Sequence, residues 1–153
     1  MSIKSNYVNF RDHFFLYKLA HKRYEKKCQK HYCGPKNVSI LSSNCVGGEV
    51  YHDLGLPFNS PTINLWMVQP DFLKFATDLQ YYIESKLCFS SELEEKYHCP
   101  VAYLGLDDKK ITIIFLHYKN RMSAEECWEK RKKRIDFNKI CLMMSDRDGI
   151  TYD

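Results

Sequence analysis

The stretch Ser39-Ile40-Leu41-Ser42-Ser43-Asn44-Cys45-Val46-Gly47-Gly48 decides how this chain is interpreted. The apolar run from Val38 to Leu41 predicts a buried strand, which ends at small polar residues, a cysteine and two glycines. The residues that follow, Glu49 to Leu56, can begin a helix. A cysteine between a strand and a helix start faces the positive end of the helix dipole, which favours its thiolate. The same pattern also fits a tight turn that contains a small apolar cysteine.

The composition is that of a globular protein, with 153 residues, 44% hydrophobic and 14% aromatic content. We expect a single domain over residues 1–153, with a basic leading helix in 1–36 and an α/β core in 37–153. No apolar run approaches the roughly 20 residues of a membrane span, and the amino terminus lacks the apolar core of a signal peptide. A cytoplasmic location is therefore expected. The seven irregularly spaced cysteines indicate reduced thiols.

Positive charge is concentrated at the start of the chain. Residues 1–36 contain nine Lys/Arg and two acidic residues, a net charge of +7, so the remainder carries −3 of the total of +4. A helix predicted over residues 6–30 carries most of this charge opposite an apolar stripe. Such a helix can contact the anionic inner face of the membrane, and a solvated face is the alternative interpretation. No nucleic-acid partner is expected.

Helical and strand patterns alternate along the chain. Further helices are predicted over residues 72–87 and 123–135, with Ser123 as the amino-terminal cap of the second. A polar loop is predicted over residues 88–98. The strands are predicted at Val38–Ser42, Thr62–Val68, Val101–Leu104, Ile111–Tyr118 and Ile140–Met144, with the third and fourth joined as a hairpin.

These elements predict an α/β layered domain with a central, mostly parallel or mixed sheet covered by helices on both faces. Four strand segments (38–42, 62–68, 111–116 and 140–144) are nearly continuous apolar runs, which need cover on both faces, so we expect them to share one sheet. The polar residues that follow the strands would then gather at its edge. The apolar loop Leu54–Pro61 is expected to form a pocket wall.

Several blocks of the chain resemble an uncharacterised bacterial family. These blocks are Ser42-Ser43-Asn44-Cys45-Val46-Gly47-Gly48, Tyr51-His52-Asp53-Leu54-Gly55-Leu56-Pro57-Phe58-Asn59-Ser60-Pro61, Phe115-Leu116-His117-Tyr118, Trp128 to Ile135 and Asp146-Arg147-Asp148-Gly149. Its members are commonly labelled exopolysaccharide or capsular polysaccharide biosynthesis proteins. They usually continue with further strands, so the resemblance implies that this chain lacks an element at its carboxyl end. A more distant similarity links the order of Cys45 and His117 to papain-like cysteine peptidases and related acyltransferases.

The first functional hypothesis is a transferase with a cysteine nucleophile. Cys45 would attack an acyl carbonyl, His117 would move the proton, and Asp146 would orient the imidazole. Asn44 would donate to the oxyanion. The resemblance and the basic helix add further substrate-binding candidates, which are Gly47, Gly48, Asp53, Asn59, Arg131, Arg134 and Asp148. The substrate would be a glycan or an activated sugar precursor.

Two alternatives stay open. Asp146 and Asp148 resemble the Asp-x-Asp of glycosyltransferases that hold a sugar nucleotide through a divalent cation. The protein would otherwise be a non-catalytic accessory protein of polysaccharide assembly. Cys28, His31 and Cys33 lack a matching second pair of zinc ligands. No metal or cofactor is therefore expected, apart from the divalent cation of the glycosyltransferase alternative.

Overall fold

The structure is a computed structural model that describes the backbone of residues 3–145 and side chains from residue 17 onward. It is a mixed α/β fold, as the sequence predicts. In chain order its elements are α1 (Ile3–His31), β1 (Ser39–Ser42), α2 (Val46–Asp53), α3 (Gln69–Thr77), α4 (Leu79–Glu84), β2 (Cys88–Phe89), α5 (Ser91–Tyr97), β3 (Val101–Leu104), β4 (Ile111–Ile114), α6 (Arg121–Lys132) and β5 (Ile140–Met143). Within this described part of the chain, no helix combines the length and apolarity that crossing a bilayer requires.

The strands form two sheets, so the prediction of one continuous central sheet is wrong. In the first sheet β1 and β5 pair in parallel, with Ser39 opposite Ile140. In the second sheet β2, β3 and β4 are antiparallel, and the predicted hairpin of β3 and β4 is confirmed.

A two-residue segment links these sheets. Trp66 and Ile114 exchange both of their backbone hydrogen bonds, at 2.8 and 2.9 Å, and the N–H of Met67 donates to the carbonyl of Ser43 at 2.8 Å. The ends of β1 and β4 therefore lie on either side of residues 66–67.

The strand predicted at Thr62–Val68 is not formed. Residues 61–64 make a turn in which Asn64 has a positive φ of 61°, a conformation that breaks an extended strand. The run is buried because side chains of the turn bond to β1. The hydroxyl of Thr62 accepts from the N–H of Ser42 at 2.9 Å and bonds the hydroxyl of Ser60 at 2.9 Å. A buried turn of this kind therefore has a sequence pattern that resembles the pattern of a buried strand.

Three other segments differ from their predictions. The helix predicted over residues 72–87 is interrupted at Asp78, whose φ and ψ of −126° and 49° are not helical. The segment 88–98 is not a loop, because it contains β2 and α5. The hydroxyl of Ser90 caps the start of α5. In α6 the cap is Asn120, and Ser123 is its reciprocal partner three residues later.

The last strand is exposed, although its apolar residues predict burial. Leu142 is 54% exposed, and Ile140, Cys141 and Met144 are also exposed. Among the described residues β5 pairs only with β1, so it is an edge strand. An apolar run does not distinguish an edge strand from a covered one.

The core has two parts. The larger part surrounds Trp128 and Phe75 and lies between the antiparallel sheet and α3, α4 and α6. The smaller part joins β1 to α2 and consists of Ile40, Tyr51, Leu56 and Ile63. This smaller part positions the residues described next.

Candidate functional site

Cys45 lies between β1 and α2, as the sequence predicts, and is the amino-terminal cap residue of α2. Its side chain is half-buried, with the sulfur 4.0 Å from the carbonyl oxygen of Leu65. The side-chain oxygen of Asn44 accepts from the N–H of Val46 at 2.9 Å. That bond satisfies one of the free N–H groups at the helix start, so Asn44 helps to fix the position of Cys45.

The two glycines of α2 have different environments. Gly47 is buried against β1, where an added Cβ would lie 2.7 Å from the Cβ of Ser42. This glycine therefore permits close packing of helix on strand, which is a packing role and not the substrate-binding role expected of it. Gly48 faces Ile63 and Asn64, where an added Cβ would lie at an ordinary 3.7 Å. Of these two glycines, only Gly48 lines the pocket described next.

A pocket of about 330 Å³ lies beside this face of α2. Its walls come from α1, α2, the loop before residue 64 and α6, and they are His21, Gly48, Glu49, His52, Phe58, Ile63, Asn64 and Arg131. Phe58 belongs to the loop Leu54–Pro61 and lines this cavity, but Cys45 and His117, which the same pocket was expected to hold, do not line it. Asn64, the residue with the positive φ, is a pocket residue that the sequence analysis missed.

Arg131, which lines this pocket, is hydrogen-bonded to Tyr118. A guanidinium N–H of Arg131 donates to the Tyr118 hydroxyl at 2.5 Å, and the hydroxyl donates to the carbonyl of Ile63 at 2.9 Å. Burial raises the pKa of Tyr118, and the positive charge and hydrogen bond of Arg131 oppose that rise.

His117 precedes Tyr118 and lies in the exposed turn after β4. β4 ends at Ile114, four residues before the predicted end of this strand at Tyr118, so the chain turns before His117 is reached. Within the described residues His117 makes no hydrogen bond or ion pair. The catalytic pair of Cys45 and His117 stays a prediction.

The remaining predicted site residues are dispersed. Arg134 is exposed and donates to the carbonyl of Phe58 at 3.3 Å. Asn59 is half-buried in the same loop. Asp146 and Asp148 lie outside the described residues.

Asp53 belongs to a cluster that the sequence analysis did not identify. His21 and Glu25 of α1 meet His52 and Asp53 of α2, and one potential ligand atom from each lies within 4.8 Å of all the others. The four-residue spacing of His21 and Glu25 puts both on one face of a helix and was a signal available in the sequence. Their meeting with α2 is a tertiary contact that no local pattern contains.

The fold and pocket define a small α/β domain with a polar pocket beside a helix that begins with a cysteine. The chain belongs to the family described as a domain of unknown function, DUF1919, which matches residues 6–153. It is also 33% identical over 144 residues to an uncharacterised protein of Haemophilus influenzae. That match covers 94% of this chain and 62% of the relative. The expectation of an uncharacterised bacterial family is thus confirmed at this level.

Proposed function

We propose that the protein is a cytoplasmic enzyme of cell-surface polysaccharide biosynthesis, in which Cys45 transfers an acyl or related group to or from a glycan or its precursor. The observation that supports the proposal is the position of Cys45. It is half-buried at the start of α2. Gly48, Glu49 and His52, which follow it by three, four and seven residues, line the pocket, although Cys45 itself is not a lining residue. Residues at this spacing share one helix face. The biological process comes from the family resemblance of the sequence blocks.

The chemistry would run in two steps. The Cys45 thiolate attacks the carbonyl carbon of an acyl donor, the bond to the leaving group breaks, and the leaving group takes a proton. A hydroxyl of the glycan then attacks the thioester, loses its proton to the base, and releases the Cys45 thiolate. The start of α2 favours both the thiolate and the oxyanion of each step. His117 is the predicted base.

The pocket suits a polar, negatively charged substrate. Arg131 offers a guanidinium that is already fixed by Tyr118 and Ile63, and such a fixed fork binds carboxylate or phosphate oxygens well. Asn64 and Glu49 can bond sugar hydroxyls, and Phe58 offers an apolar wall against a sugar ring. The basic face of α1 would allow contact with the inner surface of the membrane.

Cysteine reactivity is the first test. Iodoacetamide would be applied near neutral pH, and each labelled cysteine would be measured by peptide mass spectrometry. Accessibility alone favours the exposed thiols Cys33, Cys88 and Cys141 over the half-buried Cys45. Faster labelling of Cys45 would support an activated nucleophile, because only thiolate character can reverse that order. Slower labelling of Cys45 would assign it to a structural turn.

Trapping of an acyl group is the second test. The protein would be incubated with acyl-coenzyme A donors and examined by intact mass spectrometry for an adduct that hydroxylamine removes. We expect the adduct in the wild type, its loss in Cys45→Ser, and a decrease in Arg131→Gln. Arg134→Gln is the matched control, because the Arg134 side chain is exposed, bonds the carbonyl of Phe58 and, unlike Arg131, does not line the pocket. An adduct that persists in Cys45→Ser would refute the proposed nucleophile.

A further inference from the structure

The cluster of His21, Glu25, His52 and Asp53 joins two helices that are distant in the sequence. His21 and Glu25 are one turn apart on α1, and His52 and Asp53 are at the end of α2. Four side chains that each offer a nitrogen or oxygen ligand thus converge from both sides of one helix–helix contact. Imidazole and carboxylate are the donors that zinc-like divalent cations take in proteins.

Four of the six distances between the donor atoms lie between 3.3 and 3.9 Å, near those of ligands around a common ion, and all six are within 4.8 Å. Nε2 of His21 lies 3.3 Å from Oε1 of Glu25 and 3.9 Å from Oδ1 of Asp53. Nδ1 of His52 lies 3.4 Å from the same Glu25 oxygen and 3.8 Å from the same Asp53 oxygen. A tetrahedral zinc ion with bonds of about 2.0–2.1 Å keeps its ligands about 3.4 Å apart. Charge-assisted hydrogen bonds between these groups would be shorter, at about 2.7–2.9 Å.

The cluster also contains a buried carboxylate oxygen whose hydrogen-bonding capacity is not satisfied. Oδ1 of Asp53 is inaccessible to solvent and has no hydrogen-bond partner among the described residues. A buried carboxylate oxygen in this state is costly unless a cation or a donor satisfies it. It is the same oxygen that both imidazoles face, so a cation placed between the four donors would satisfy it.

The charges of the donor set match a doubly charged cation. Two carboxylates and two neutral imidazoles carry a total of −2, which a divalent ion neutralises. Glu25 and Asp53 are only 20% and 21% exposed, so water screens their mutual repulsion poorly. The two imidazoles disfavour Mg²⁺ and Ca²⁺, which take oxygen ligands, and favour Zn²⁺ and its neighbours.

We infer that His21, Glu25, His52 and Asp53 form a binding site for a zinc-class divalent cation, which joins α1 to α2. The ion would lie at the rim of the pocket, because His21 and His52 also line that cavity. The His52 side chain is 61% exposed, so the ion has a route of entry from solvent. This site is independent of the role proposed for Cys45.

The direct experiment is a titration of the metal-free full chain with Zn²⁺ and Co²⁺. Binding would be followed by calorimetry, the cobalt spectrum and the thermal unfolding temperature. We expect one ion per chain, a rise in unfolding temperature, and visible cobalt bands of a tetrahedral nitrogen and oxygen site. Sulfur-to-cobalt charge transfer in the near ultraviolet should be absent, because none of the four ligands is a thiolate.

Three variants locate the ion. His52→Ala removes the most exposed ligand, and Asp53→Asn keeps the shape of the buried one, so both should fold. Loss of a residue that only supports a metal ligand weakens binding about 10–100-fold. Each of these variants loses a ligand itself, so we expect it to weaken Zn²⁺ binding by at least that factor. The control is His31→Ala, an exposed histidine of α1 beside Cys28 and Cys33, which should bind as the wild type does.

Two outcomes would overturn the inference. Thiolate bands together with lost binding in His31→Ala would assign the ion to the cysteines at the end of α1. Absence of saturable Zn²⁺ and Co²⁺ binding by the folded wild type would leave the four residues as histidine–carboxylate ion pairs.

Discussion

The two parts of the core are held together in different ways. Around Trp128 the contacts are aromatic, with ring centroids 6.3 Å from Phe75 and 6.4 Å from Phe115. Between β1 and α2 there are few apolar side chains, and buried hydroxyls supply the links. The hydroxyl of Tyr51 accepts from the N–H of Ile40 at 2.7 Å and donates to the carbonyl of Val38 at 3.0 Å. The first part accounts for most of the apolar burial, and the second positions the residues of the candidate site.

The largest expected effect comes from the aromatic part. Trp128→Ala should lower the free energy of unfolding by about 3–5 kcal/mol, because it removes a fully buried indole and leaves a cavity. Urea unfolding followed by circular dichroism measures this. The folded fraction should still bind Zn²⁺ with unchanged affinity, since Trp128 does not line the pocket.

Trp128→Phe is the matched control. It keeps an aromatic ring and removes an indole nitrogen that has no hydrogen-bond partner among the described side chains, so its cost should be smaller than that of alanine. Equal losses in the two variants would argue against cavity formation as the cause. Weakened metal binding in folded Trp128→Phe would show that the two parts of the core are not independent of each other.

The second prediction concerns the hydroxyl link. Tyr51→Phe should cost about 1–3 kcal/mol, because the N–H of Ile40 and the carbonyl of Val38 lose their buried partner. Chemical unfolding near neutral pH measures the loss. Phe72→Leu in the aromatic part is the comparison, since it removes volume without removing a hydrogen bond. A loss near zero in Tyr51→Phe would mean that apolar contacts alone join β1 to α2.

The same variant gives a test in alkaline solution. Burial raises the pKa of Tyr51 above its ordinary value of about 10. The folded state therefore retains a proton that the unfolded state releases, so this contribution to stability is complete below pH 10 and is lost as pH rises through the folded pKa. Stability of the wild type should fall more steeply above pH 10 than that of Tyr51→Phe. Burial also raises the pKa of Tyr82 and Tyr118, so the variant should keep part of the slope.

The third prediction compares adjacent glycines in α2, with effects of opposite sign. Gly47→Ala should cost about 1–3 kcal/mol, because its Cβ would lie 2.7 Å from that of Ser42 and would push α2 from β1. Gly48→Ala should stabilise the fold by about 0.5–1 kcal/mol through helix propensity. Thermal unfolding of both variants measures the difference. The prediction fails if both changes stabilise, which would mean that α2 is free to move from β1.

Local patterns predicted part of this molecule well. The strand before Cys45, the helix after it and the hairpin of β3 and β4 depend on nearby residues. The segment 62–68 was misjudged because its apolar residues are buried by contacts with β1, while Asn64 turns the backbone. β5 was misjudged because strand composition does not reveal whether a neighbour covers it.

The sequence predicted those residues of the candidate site whose position depends on a single element of secondary structure. Cys45 and Gly48 follow from the strand–turn–helix pattern, and Arg131 follows from the basic segment of α6. Tyr118 was passed over in favour of His117 because the sequence does not indicate where β4 ends. The cluster of His21 and His52 depends on how α1 packs on α2, a tertiary contact that neither segment encodes alone.

The pairing of β1 with β5 has a consequence for the order of folding. It joins residues that are about 100 positions apart, whereas β3 and β4 pair across a short turn, so its loop-closure entropy is far greater. We expect the hairpin to form early and the parallel pair to form late. The segment of Cys45 follows β1 directly, so we expect it to reach its final position only after β5 has paired with β1.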